Sequence, residues 1–447
     1  MSAALTRQSR TARADAREGR PWTMTSLVLI AWVALLAADR IDFLGGNGAF
    51  TLPPYLVLTP VVLLLEGLRR VLTHSAITIP RAAGWYGVLA LTLVSLAIAS
   101  VFTSPELAIS APRVVLFTVQ VLSAFAVVLV VADRDDLGVL LDRGAVAGLW
   151  LFVAFDVLQA AWLLGRVPEY IRLGSLSIHI VGYTYGPFIP RLSGMVADQN
   201  RAAIPLLFFA WAVATRPGRG PRRGYVALAG FLLLITLSRS AILAAAAMIG
   251  VVILERRIQR VPRSLLLVVL MSVVGILGAA LASSGVRDAL AASAKPLTSR
   301  VSLDEGSSQV HLVVLERGLD VATASVPQTL LGLGFGSSYS VLQDVFPGLR
   351  YGNFHSLYIT IFAETGVFAL IALVLMIGIP IVRGGPYRSV LVGMAVFNLF
   401  YQAITDPAFW TVLAMSWMTL SPSLRRTVQR AMQAQTERRG SSVGVVR

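Results

Sequence analysis

A histidine and a glutamate mark the beginning of a long apolar segment in the last quarter of the chain. His355 opens the segment HSLYITIFAETG, and Glu364 follows nine residues later. Titratable side chains are costly at the mouth of a membrane helix, so they indicate a place where chemistry or transport occurs. A neutral imidazole with a pKa of roughly 6.5 suits a general base. A histidine that only caps the helix is the alternative, and residue type alone favours neither.

His355 and Glu364 are not expected to act as a pair. At about 100° and 1.5 Å per residue, nine helical residues place them on opposite faces and about 13 Å apart along the axis. The positive end of the helix dipole favours the neutral form of His355. Glu364 is therefore predicted to bind an arginine or a polar group of another helix, which is a structural role.

Three arginines provide a second kind of chemistry. Arg191 and Arg201 bracket the segment RLSGMVADQNR, which also contains Asn200, and Arg239 stands in TLSRSAIL. A planar guanidinium group matches the oxygens of a phosphate, so three of them near one surface could hold a diphosphate. Contact with lipid headgroups is the alternative for each arginine.

A glycine-rich segment, GLGFG at residues 332–336, precedes the histidine. It lacks the strand before it and the helix after it that a dinucleotide-binding loop requires, so we reject nucleotide binding. We expect a tight turn whose backbone amides, at Gly334 and Gly336, lie near the site. Arg317 is expected on a helix just before this turn.

Metal and thiol chemistry find little support in the sequence. The chain has no cysteine, and none of its four histidines are spaced as metal ligands on one helix. Asp39 and Asp42, in the first predicted outer loop, could meet a metal or an acceptor. We predict neither a metal nor a cofactor.

The elements that must position these residues are membrane helices. The chain of 447 residues is 56% hydrophobic and only 14% charged, whereas soluble domains carry about 25% charged residues. Apolar runs of about twenty residues recur, each long enough to cross a bilayer. The sequence therefore predicts an all-α polytopic membrane protein. Its net charge of +15 reflects arginines that flank the membrane rather than nucleic-acid binding.

The apolar runs predict about twelve transmembrane helices, with a long and partly helical outer loop. They cover residues 23–38, 54–68, 84–103, 113–132, 145–164, 201–215, 224–237, 240–254, 264–283, 356–380, 389–404 and 407–420. Arginines concentrate in the segments that are inside when the N-terminus is inside, so both termini are predicted to be cytoplasmic. Residues 34–38 also resemble a signal-peptide cleavage site, which is an alternative for the first span.

Three regions and two long loops organise the chain. We predict a disordered basic cytoplasmic arm at 1–22, a transmembrane domain at 23–420 and a basic cytoplasmic tail at 421–447. The outer loops 165–200 and 284–354 are long enough to be functional. The polar residues singled out above fall in these loops or at nearby outer helix ends.

Taken together, these stretches resemble the O-antigen ligase and polysaccharide polymerase family of bacterial envelope proteins. The family pairs a glycine-rich outer segment with a later His-containing helix, matched here by PQTLLGLGFGSSYS and HSLYITIFAETG. Ser356 occupies the position that usually holds asparagine. Upstream, Arg191, Gly194 and Asn200 match a second pattern, and the Ser-Arg pair ending in Arg239 matches a third.

The resemblance implies a glycosyltransferase of the bacterial inner membrane that works on its outer face. The donor would be an oligosaccharide linked to undecaprenyl diphosphate, and the acceptor a sugar hydroxyl of a glycan or lipid. The transfer would be inverting and independent of metal. Three residues would be catalytic: Arg191 and Arg239 would bind the diphosphate, and His355 would activate the hydroxyl. We expect the substrate to be bound by Arg201, Asn200, Arg317, Gly334, Gly336 and Ser356.

Two alternatives remain beside a transferase. A flippase for lipid-linked glycans or a polysaccharide transporter would suit twelve spans. Transporters, however, place charged residues near the bilayer midplane, often in repeated halves. No convincing internal repeat is visible here, and the charges cluster at the outer face. A non-enzymatic assembly partner is the other alternative, and polymerase and ligase are not separated by the sequence.

Overall fold

The computed structural model describes residues 23–44, 51–77, 79–185, 189–216, 222–257, 305–345 and 353–421. These residues are mostly helical, and each predicted span among them coincides with a helix. The predicted span 264–283 lies outside the described residues, as do the basic arm, nearly all of the basic tail and part of the second long loop.

Fourteen helices are named here in chain order within the described residues. They are α1 (Met24–Ala34), α2 (Pro54–Leu72), α3 (Arg81–Val101), α4 (Leu107–Val131), α5 (Leu137–Leu163), α6 (Ala203–Ala214), α7 (Arg223–Ile235), α8 (Arg239–Arg257), α9 (Glu305–Thr323), α10 (Val326–Leu331), α11 (Ser338–Val345), α12 (Leu357–Arg383), α13 (Arg388–Phe400) and α14 (Pro407–Met418). A 3-10 turn at Leu35–Ala37 continues α1.

Four of these helices, α3, α4, α5 and α12, are long and apolar enough to cross a membrane. Several others, including α6, α7 and α13, are apolar but shorter. Large apolar side chains such as Leu64, Trp85 and Phe368 are exposed on the helices, as expected where lipid replaces water. The chain is a membrane protein, and the described residues contain four candidate spans rather than the twelve that the sequence predicts.

Local sequence signals set the helix ends near the polar residues. Asp406 caps α14 by accepting hydrogen bonds from the amides of Ala408 and Phe409, and Pro407 stands at the first helical position. That position tolerates proline because its amide would have no helical partner. Ser356 caps α12 in the same way.

Short strands follow α1 and α5, where the sequence predicts an all-α fold with loops. β1 (Ile41–Asp42), β3 (Leu176–His179) and β2 (Tyr170–Leu173) form an antiparallel sheet in that order. β4 (Tyr183–Tyr185) pairs with β5 (Ile189–Arg191). The first long loop therefore contains ordered hairpins, which the sequence does not reveal because each strand is only two to four residues long.

One end of the helix bundle carries these strands, and we call it the sheet end. Arg40, just after α1, donates from Nε to the carbonyl of Val196 over 2.7 Å and from Nη2 to Ser193 Oγ over 2.9 Å. The amide of Leu357, at the start of α12, donates to the carbonyl of Tyr401, after α13. These contacts place the ends of α1, α12 and α13 together with the first long loop.

The opposite end, which we call the arginine end, is held by buried ion pairs. Glu66 on α2 is fully buried and receives hydrogen bonds from Arg69 at 2.9 Å and Arg134 at 3.1 Å. Asp142 on α5 is likewise buried between Arg216 and Arg222, each 3.3 Å away. Buried carboxylates need such partners because isolated buried charge is very costly.

Candidate functional site

His355 lies in a strained turn directly before α12. Its φ of 54° is in the left-handed region, which non-glycine residues rarely adopt. The amide of His355 donates to Asn353 Oδ1 over 2.8 Å, and Ser356 is the N-cap of a helix that begins at Leu357. The histidine thus precedes the helix rather than opening it. Strain of this kind persists where the surroundings hold a residue in a required position.

Two aromatic rings pack against His355. The centroid of the His311 ring, on α9, lies 4.1 Å from that of His355, and the Tyr401 ring lies 5.4 Å away. Burial, and after it the neighbouring His311, lowers the pKa of His355 to about 3. The imidazole is therefore neutral at neutral pH, which is the form that accepts a proton.

Arg191 is fixed between two segments at the sheet end. Its Nε donates to the carbonyl of Thr236 over 2.8 Å, and its Nη2 donates to Asn200 Oδ1 over 2.7 Å. Thr236 ends α7, and Arg239 begins α8 three residues later. The two arginines predicted to bind diphosphate are therefore connected through one turn.

Asp198 joins this segment to the histidine. Its Oδ1 accepts from the amides of Asn200 and Arg201, at 2.8 and 3.0 Å. Its Oδ2 accepts from the hydroxyl of Tyr401 over 2.8 Å. Since the Tyr401 ring packs on His355, one chain of contacts runs from Arg191 through Asn200 and Asp198 to the histidine.

Arg201 forms an ion pair with Asp39, with Nη2 3.0 Å from Oδ2. Burial raises the pKa of Asp39, and Arg201 opposes this shift. Asp42 accepts hydrogen bonds from the amides of Leu44 and Leu52 at 3.0 and 2.7 Å. Both aspartates are thus engaged with protein groups. No group of three or more His, Asp or Glu side chains in the described residues is arranged to hold a metal.

The arginine pair also lies near His311. Burial lowers the pKa of His311, and the positive charges of Arg239 and Arg191 lower it further. The structure therefore brings together residues that are far apart in sequence: Arg191, Arg239, His311 and His355. At the sheet end, two positive guanidinium groups are thus within electrostatic reach of His311, whose ring packs on the neutral His355.

Glu364 binds the glycine-rich turn. Its carboxylate accepts from the amide of Gly336 at 2.8 Å and from the hydroxyl of Ser338 at 2.6 Å. Its own carbonyl accepts from the amide of Gly334 at 2.9 Å. The amides of both glycines that the sequence assigns to substrate thus point to Glu364, so the turn is tied to α12.

A break in α12 makes room for this contact. Gly366 has φ 81° and ψ 178°, and a Cβ there would stand 2.1 Å from the carbonyl oxygen of Leu330. A Cβ at Gly332 would meet Glu364 at 2.3 Å. The two backbones touch, which only glycine allows.

Arg317 lies on a different face of α9 from His311, which packs on His355. It follows His311 by six residues on α9, a rotation of about 240° that directs the two side chains to different faces. Its Nε is buried and has no hydrogen-bond partner among the described residues. Gly318, beside it, faces Phe354 and Ile359.

Comparison with known families agrees with the sequence resemblance. A family model described as O-antigen ligase matches residues 224–374. These residues, which we call the O-antigen ligase region, are similar to that family and make up about a third of the chain. No curated protein matches the chain. The O-antigen ligase region contains Arg239, His311, His355 and Glu364, whereas Arg191 and Asn200 precede it.

Three residues of the cluster are not predicted from the sequence as site residues: His311, Tyr401 and Asp198. His311 falls in a helix-like stretch of the second long loop, and its distance from His355 in sequence conceals their ring contact. Tyr401 follows an apolar span and looks like an interfacial aromatic. Asp198 stands in the same segment as Asn200 and Arg201, and that proximity is the one signal the sequence offers.

Proposed function

We propose that this protein is a membrane glycosyltransferase, a polysaccharide polymerase or an O-antigen ligase-like enzyme. It moves a glycan from undecaprenyl diphosphate to a sugar hydroxyl of a glycan or lipid acceptor. The O-antigen ligase region supports a membrane enzyme of glycan transfer. The observation that carries the finer proposal is the buried, neutral His355 in contact with His311, which lies within electrostatic reach of Arg191 and Arg239.

The reaction follows from these groups. The acceptor hydroxyl attacks the anomeric carbon of the donor while His355 takes the hydroxyl proton. A new C–O bond forms as the bond between the anomeric carbon and the diphosphate breaks, and its electron pair leaves with the diphosphate. Arg191 and Arg239 stabilise the negative charge that develops there. Attack opposite the leaving group inverts the anomeric configuration.

Neither a metal nor a strong general acid is needed in this scheme. A diphosphate is already a good leaving group, so two positioned guanidinium groups suffice to stabilise its departure. A base aligned with the acceptor adds about 10²- to 10⁴-fold to the rate. Arg201 and Asn200 shape the wall beside the diphosphate, and the glycine-rich turn fixes α12, whose cap Ser356 follows the histidine.

We place the sheet end on the outer side of the bacterial inner membrane, with both termini cytoplasmic. The ion pairs of the arginine end then lie on the cytoplasmic side, where arginines accumulate. A lipid-linked glycan flippase or polysaccharide transporter is the second candidate. The clustering of His355 and the arginine pair at one end of the bundle favours a surface reaction over a midplane transport site.

The test is glycan transfer by purified protein with a defined undecaprenyl-diphosphate oligosaccharide and a sugar acceptor. We expect an elongated glycan, no loss of rate with EDTA, and loss of product in Arg239→Ala. Arg172→Ala is the control, because Arg172 is exposed and packs on Tyr170 in the outer sheet. Donor movement across vesicles without any new glycosidic bond would favour the flippase.

A further inference from the structure

We propose that His311 is a positioning residue for His355, forming the wall that holds its ring and keeping it free of a proton. The inference rests on the proposed function, because it assigns His355 the role of base. The family resemblance assigns a role to His355 alone among the histidines.

The first argument is the contact itself. The two imidazole centroids are 4.1 Å apart with the ring planes tilted by 41°, which is a packing contact rather than an in-plane hydrogen bond. His355 sits in a left-handed turn. The His311 ring at 4.1 Å and the Tyr401 ring at 5.4 Å both contact its ring and restrict its orientation.

The second argument is electrostatic. Two imidazoles in contact cannot both be protonated without strong repulsion, so a proton on one opposes a proton on the other. On the side of His311 stand Arg239 of α8 and Arg191 of β5, both positive, and Asp198, whose charge acts in the opposite direction. On the side of His355 stand His311 and the neutral Tyr401.

The electrostatic influences link the arginines to His355 through His311. Arg191 and Arg239 act on His311, and His311 in turn acts on His355. His311 thus contacts the group proposed to activate the hydroxyl and lies within electrostatic reach of the groups proposed to bind the diphosphate. It holds the base in place, and at acidic pH, where His311 itself takes up a proton, its charge opposes a proton on the base.

Two substitutions separate the two effects. His311→Ala removes the wall, and misplacement of a catalytic group by about 1 Å can lower the rate about 10²-fold. His311→Phe keeps a ring of similar shape but removes the competing charge. In His311→Phe we expect transfer at pH 8 to persist while the acid limb of kcat/KM moves to higher pH. A wall without electrostatic influence would leave that limb in place.

His179→Phe is the matched control. His179 also packs on an aromatic ring, that of Tyr170 at 4.6 Å, but it does so in the outer sheet. We expect this variant to keep the rate and the pH profile of the native protein.

The experiment measures transfer from pH 3 to pH 8 and, in parallel, the titration of His355 from pH 2 to pH 8 by NMR of histidine-labelled protein. The chain has four histidines, so single substitutions assign the signals. The inference is supported if His311→Ala slows kcat and His311→Phe raises the pKa of His355. It is overturned if either effect is missing while the native enzyme is active. If the native protein transfers no glycan, the proposed function fails, and the NMR titration still decides whether His311 controls His355.

Discussion

At the scale of single residues, the site depends on a histidine whose environment is unusual. His355 is buried, lies in a left-handed turn and has a pKa lowered to about 3. An exposed histidine is half protonated at a pH of roughly 6.5, so a growing share of it is charged as the surroundings become mildly acidic. Burial against His311 and Tyr401 thus gives an imidazole that stays neutral in mildly acidic surroundings.

The pH profile tests this environment. A base must be unprotonated, so activity falls as pH drops through its pKa, and a lowered pKa moves that fall to lower pH. We expect no fall in kcat/KM near pH 6.5 from protonation of His355. The acid limb of the profile that is due to His355 should lie well below pH 5. Burial raises the pKa of Asp406 to about 7, and Arg201 opposes this shift. Because titration of Asp406 would overlap the region of interest, the profile is best measured in Asp406→Asn, which keeps a capping side chain. A limb near 6.5 in that variant would show that His355 is not depressed.

The sequence predicted roles for single residues but not how those residues assemble. Residue types predicted His355 as a base and the arginines as anion ligands. They did not identify Tyr401, because its link to Asp198 and His355 depends on how the end of α13 meets the first long loop. Contacts between segments so distant in the chain have no local signature.

At the scale of elements, α12 and the glycine-rich turn behave as one unit. Glu364 accepts hydrogen bonds from Gly336 and Ser338, and the break at Gly366 brings the two backbones into contact. The sequence predicted a polar partner for Glu364 on another helix and a tight turn at GLGFG, but it did not connect the two. A helix break at a glycine is hard to predict because most helical glycines cause none.

Two glycines of α12 offer a matched pair of substitutions. Gly366→Ala places a Cβ 2.1 Å from a carbonyl oxygen and demands a backbone conformation that costs about 1–3 kcal/mol for other residues. Gly378→Ala adds a Cβ with nothing within 4 Å. We expect Gly366→Ala to lower the thermal unfolding midpoint and the transfer rate, while Gly378→Ala is neutral or slightly stabilising. Equal behaviour of the two variants would show that the contact with the turn has no structural importance.

At the scale of the whole molecule, the two ends of the bundle are chemically different. The sheet end gathers the strands, the arginine pair and His355, whereas the arginine end holds ion pairs around Glu66 and Asp142. Apolar periodicity predicted the helices because each run is long and nearly free of charge. It did not predict the strands of the first loop, which pair through backbone contacts that a short sequence does not specify.

The absence of cysteine makes the orientation directly testable. Ser175 is exposed between β2 and β3 at the sheet end, and Ser75 is exposed after α2 at the arginine end. With single cysteines at these positions, we expect a membrane-impermeant maleimide to label Ser175→Cys in intact cells. Ser75→Cys should be labelled only after the membrane is opened. The reverse pattern would place the candidate site on the cytoplasmic side and contradict outer-face transfer.

The central claim is that His355 activates the acceptor hydroxyl in glycan transfer. The most direct measurement compares the native protein with His355→Ala and His179→Ala in one transfer assay with a lipid-diphosphate donor. We predict that His355→Ala lowers the transfer rate by about 10²- to 10⁴-fold at an unchanged unfolding midpoint, while His179→Ala retains the native rate. A folded His355→Ala protein that transfers glycan at the native rate would contradict the account.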